Sequence, residues 1–137
     1  MLESHNKLTD QGHAFENGNA TFLAQVRDKV TGNLLSPERI TGIRYTVYCL
    51  DSSDPEIKTV VPGHERVSLT VADVFFAVPK IDGLWDHDDI GYNFKHEPIV
   101  VTHPVFPKAG RHYRVEYRIT LDDQPNEVII RYRVHMI

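Results

Sequence analysis

A chain of 137 residues with 41% hydrophobic and 25% charged residues has the size and balance of a single globular domain that buries its own core without metals or disulfides. The net charge of −4 argues against a general nucleic-acid binder, which carries a basic excess, and the lone Cys49 excludes an internal disulfide framework. No run of residues matches a transmembrane span or the apolar core of a signal peptide, so synthesis and folding in the cytoplasm are expected.

Residues 1–18 are polar, rich in Gly, Asn and His, and without periodicity; they predict an extended arm that orders only against a neighbour. The domain proper is expected over 19–137. Phe22, Ala24 and Val26 alternate with more polar neighbours as a first strand. Thr31-Gly32-Asn33 is turn chemistry, with a short return at Leu34-Leu35. Ser36 followed by Pro37 predicts one helical turn. In the next strand Ile43, Tyr45, Val47 and Cys49 point inward, against Arg44, Thr46 and Tyr48. A short strand over Ile57–Val61 ends at Pro62-Gly63, and Val67, Leu69 and Val71 alternate again. Thr70 to Asp73 predicts the cap of a short helix running through Val74, Phe75 and Phe76 and closed by Pro79. Residues 79–91 read as the longest irregular stretch.

Tyr92, Phe94 and His96 alternate with Asn93, Lys95 and Glu97. After a Pro104/Pro107 bend, Gly110 releases the chain into strict period two: Tyr113, Val115, Tyr117 and Ile119 inward, Arg114, Glu116, Arg118 and Thr120 outward. Residues 122–126 turn it into a last strand with Ile130, Tyr132, Val134 and Met136 inward and Arg131, Arg133 and His135 outward. About seven short strands with turns between them define an all-β fold. An antiparallel immunoglobulin-like β-sandwich is expected, with Tyr113 as a buried corner tyrosine and one or two short helical turns.

No residue pair sits in a motif that activates a nucleophile or water, so no catalytic residue, no cofactor and no enzyme activity are expected. Cys49 is placed in the core, and the histidines are read as surface or turn residues. The densest group of oxygen ligands is an acidic loop, Asp82, Asp86, Asp88 and Asp89, with His87; it matches neither an EF-hand nor a zinc site and is a candidate cation loop only. A binding module with Trp85 and Tyr92 as carbohydrate-stacking platforms beside that loop is the alternative reading. The stronger pattern is the outward face of the last hairpin, where Arg114, Arg118, Arg131 and Arg133 form a cationic ribbon around Glu116. Such a ribbon is either an ordinary solvated face, its like charges spread by strand twist, or a docking face for an acidic partner surface, which arginine's planar fork suits; the docking face is expected.

Trp85-x-x-Asp88-x-x-Gly91-Tyr92-Asn93-Phe94-x-His96, then Phe106-Pro107-x-Ala109-Gly110-Arg111-x-Tyr113-Arg114-Val115-Glu116-Tyr117, then Arg131-Tyr132-Arg133-Val134 resembles small β-sandwich proteins from phage and prophage structural-gene clusters. The resemblance covers residues 40–137. It implies a virion component, a capsid decoration, neck or tail accessory protein. Such a protein would bind copies of itself or neighbouring virion proteins, without membrane or direct nucleic-acid contact.

Overall fold

The computed structural model describes residues 11–14, 21–28, 30–51, 53–54, 56–83, 85, 88–98, 105, 107, 110–122 and 127–136, with the backbone alone for 11–14, 135 and 136. In chain order the elements are β1 (Gln11–Ala14), β2 (Phe22–Ala24), a 3-10 turn (Pro37–Arg39), β3 (Ile40–Leu50), β4 (Lys58–Val60), β5 (Val67–Leu69), a single-turn helix α1 (Val71–Val74), β6 (Phe75–Lys80), β7 (Tyr92–His96), β8 (His112–Leu121) and β9 (Val128–Met136). They form two sheets. A six-stranded sheet runs β1-β9-β8-β3-β4, with β5 also on β3; a three-stranded sheet runs β2-β7-β6. All pairings are antiparallel except β1 on β9.

The sheets bury their inner faces against one another, as an all-β sandwich must. Strict alternation along β8 puts Tyr113, Val115, Tyr117 and Ile119 at 0% exposure, because β3 and β9 flank it and the small sheet covers it. Tyr117 is the centre of this core. Phe94 and Phe22 of the small sheet meet it at 4.9 Å and 6.1 Å between ring centroids, and Tyr45 and Tyr132 of the large sheet at 6.0 Å each. Tilted and edge-on arrangements of this kind are favourable beyond the area they bury. Tyr132 ties the sheets together by donating its hydroxyl to the Leu23 carbonyl at 2.6 Å. Of the expected inward set, Phe22, Ala24, Val26, Ile43, Tyr45, Val47, Tyr132 and Val134 are buried as well, while Cys49 and Leu69 are half-buried and packed on the core.

Four local expectations are corrected. Helix α1 stops at Val74, and Phe75–Lys80 is strand β6. Phe75 pairs with Phe94 and packs on its ring at 5.2 Å, and that long-range contact outweighs the local helical signal. Pro79 is tolerated because β6 is a sheet edge. Asn93 alternates with Tyr92 and Phe94 yet is buried as they are; at 1% exposure it accepts from the Val26 amide and donates to the Val26 and Leu35 carbonyls, so its amide replaces a missing strand partner. His64 and His96 are not surface histidines. Both are buried, with Tyr45 Oη 2.8 Å from His64 Nδ1 and Tyr117 Oη 2.7 Å from His96 Nδ1. Finally, Gln11–Ala14 pair with Arg133–Met136 of the same chain, a register that no periodicity in the arm announces. The rest of the 1–18 arm, His103, Pro104 and the turn at 123–126 lie outside the described residues.

Candidate functional site: the outer face of the large sheet

The outward positions of β3, β8 and β9 stand in rows across the sheet. Arg44 is opposite Arg118, Thr46 opposite Glu116 and Tyr48 opposite Arg114; on the other side of β8, Glu116 faces Arg131 and Arg114 faces Arg133. Like charges directly across an antiparallel pair repel, so Arg44 next to Arg118 needs a counter-charge. Glu127, one residue before β9, supplies it: its two oxygens take Arg44 Nη2 and Arg118 Nη1, each at 3.1 Å. Glu116 does the same one row along. It accepts from Arg131 Nε at 2.8 Å and from Arg118 Nη2 at 3.1 Å.

Glu116 is only 3% exposed, which corrects the expectation that it stands in solvent with the ribbon. Burial alone would push its carboxyl up, but Arg131 and Arg118 outweigh it and hold the group below the usual glutamate range. The ribbon's four arginines therefore fall into two kinds. Arg118 and Arg131 neutralise a buried carboxylate; Arg114 and Arg133 have no ion pair among the described residues, and Arg133 Nε is buried without a hydrogen-bond partner there.

Two further arginines join this face. Arg44 of β3 and Arg66, just before β5, line a basin of about 510 Å³ with Thr46, Tyr48 and Arg118. Arg66 holds a positive φ of 50°, and its amide donates to Thr46 Oγ1 at 3.0 Å, which fixes the backbone from which its side chain departs. Lys58 of β4 lies over the Tyr48 ring at 4.3 Å, adding a cation at the rim. Arg44 was legible as an outward residue of its strand. That it shares a face with Arg118 and Arg66 depends on the pairing of β3 with β8 and β5, which joins residues far apart in sequence.

The acidic loop is built differently. Asp88 Oδ1 accepts from the Trp85 indole at 2.9 Å and from the amides of Ile90 at 3.0 Å and Gly91 at 3.1 Å, and Oδ2 accepts from Gln25 at 3.2 Å. The Trp85 indole, then the Gly91 amide, lead the interactions that hold its carboxyl down at about 2. Asp82 accepts the Tyr92 hydroxyl at 2.7 Å, a bond that pushes the phenol up to about 12. Asp89 is exposed; Asp86 and His87 lie outside the described residues. No group of three or more metal-ligating side chains occurs among the described residues. Of the two expected stacking platforms, Tyr92 is 1% exposed and offers no face to a sugar, while Trp85 is half-buried. Asp82 and Asp88 hold the loop's own shape.

The fold and this face define the class: an all-β sandwich whose larger sheet presents an arginine-rich outer surface with a basin in it. No protein-family model, curated protein or solved structure matches the chain.

Proposed function

We propose that this protein is a non-enzymatic structural component of a phage particle, the role implied by its resemblance to phage structural-cluster proteins, and that it works by docking the outer face of its large sheet on an acidic surface of a neighbouring virion protein or a second copy. The observation that carries this reading is the division among the arginines. Glu116 and Glu127 hold Arg44, Arg118 and Arg131 in fixed positions, while Arg66, Arg114 and Arg133 lie beside them with no carboxylate partner among the described residues. A rigid array with unpaired guanidinium groups is complementary to carboxylates held on another rigid surface.

The test is incorporation. Purified particles made with the wild-type chain should contain it by mass spectrometry; particles made with Arg114→Glu/Arg133→Glu should not, although the two isolated proteins melt alike. Reversed charges meeting an acidic surface turn attraction into repulsion, whereas outward substitutions without ion-pair partners change stability by only about 0.5 kcal/mol. Particles that lack the wild-type chain, or that take up the double variant normally, would overturn the proposal.

A further inference from the structure

Within that face the basin differs from the rest, and the inference drawn from it rests on the docking reading. We infer that the basin bounded by Arg44, Arg66 and Arg118 is an anchor pocket for a single carboxylate side chain of an acidic protein partner, with Arg66 as the residue that grips it. Its volume of about 510 Å³ falls within the ~300–1,000 Å³ of ordinary ligand sites. Its lining residues, three arginines with Thr46 and Tyr48, all carry side-chain hydrogen-bond donors. Arg44 and Arg118 are both ion-paired to Glu127, which reduces the ordering they need when a ligand arrives. Arg66 has no carboxylate among the described residues, and its fork is free to close on one in bidentate fashion.

The occupant's class follows from the charges already present. Glu127 stands beside the basin between Arg44 and Arg118, and Glu116 lies one row along. Glu127 and Glu116 offset Arg44 and Arg118, so the one guanidinium of the basin left uncompensated among the described residues is Arg66, a charge that a single carboxylate matches and a phosphate with close to two negative charges exceeds. A nucleic-acid backbone needs a continuous cationic track, which Glu116 and Glu127 interrupt, and the chain's net charge of −4 opposes its approach. An isolated glutamate or aspartate on a protein surface meets neither obstacle.

The full chain is titrated by calorimetry with four probes: a short peptide of three glutamates flanked by glycines, its glutamine counterpart, inorganic phosphate and a single-stranded oligonucleotide. The glutamate peptide should bind saturably and the other three more weakly. Arg66→Gln should lower peptide affinity ~10-fold or more, Arg66→Lys less, because charge remains while the fork is lost. Lys95→Gln, on β7 of the small sheet and off the docking face, should change it by less than ~3-fold. Neither residue has an ion pair among the described residues, and a melting curve for each variant confirms the fold. Tighter binding of phosphate or oligonucleotide, no saturable binding of the glutamate peptide, or equal losses from Arg66→Gln and Lys95→Gln would each overturn the anchor. The incorporation experiment with Arg114 and Arg133 judges the docking reading separately, since neither residue lines the basin.

Discussion

The acidic loop around Asp88 and the arginine face of the large sheet are both dense in charge, yet they differ in what those charges touch. In the loop the described carboxylates of Asp82 and Asp88 are engaged by the loop's own indole, phenol and amides. On the sheet, two carboxylates neutralise some of the arginines and leave others without a carboxylate partner. A cluster of like-charged residues is thus no measure of a binding site. What counts is how many of its hydrogen-bonding groups the fold already uses.

The largest effect that separates the two kinds of arginine comes from their removal in pairs. Arg118→Gln/Arg131→Gln strips both partners from the buried Glu116 carboxylate and should cost about 3–5 kcal/mol in urea unfolding, the range for an uncompensated buried charge. Arg114→Gln/Arg133→Gln should stay within about 0.5 kcal/mol. Equal losses would erase the distinction on which the docking face rests.

Acid should reach the core before it reaches the loop. Burial holds the His96 imidazole down at about 4, against an ordinary value of 6.5; the nearby Glu97 opposes this and His64 adds to it. The unfolded chain therefore takes up a proton near pH 6.5 that the folded chain refuses until about pH 4. The stability is fully present above 6.5 and falls across that interval, by about 3 kcal/mol in all. Asp88, with its carboxyl near 2, stays charged throughout. Urea midpoints at pH 7 and pH 4.5 measure the loss, and His96→Gln should flatten that part of the profile; an unchanged slope would remove His96 as its source.

The loop's fixed shape can be broken at Gly91. Its φ is 101°, and a Cβ there would sit 2.4 Å from the Lys80 carbonyl oxygen, so Gly91→Ala should cost about 1–3 kcal/mol, read from the melting temperature and urea midpoint. A neutral substitution would mean that the loop yields easily. The smallest effect is expected from calcium. Because Asp82 and Asp88 are engaged, millimolar calcium should move the melting temperature by less than about 1 °C, and a clear upward shift would restore the loop as a cation site.

Sequence and structure agree best where one strand decides its own pattern. Along β8 the inward Tyr113, Val115, Tyr117 and Ile119 were legible because side chains alternate with period two, and a strand buried on one face must obey that period. Turn chemistry at Gly32, Pro37 and Gly63 was legible for the same local reason. The amino-acid sequence by itself determined the all-β class, most of the core and the outward aim of Arg114, Arg118, Arg131 and Arg133. Tertiary structure alone decided that Phe75 extends a strand, that Asn93, His64 and His96 are buried, that Glu116 sits under two arginines, and that Arg44 and Arg66 join Arg118 around one basin. Each of these depends on which strand lies beside which. That choice is made by contacts between residues distant in the chain, which carry no signature in local periodicity.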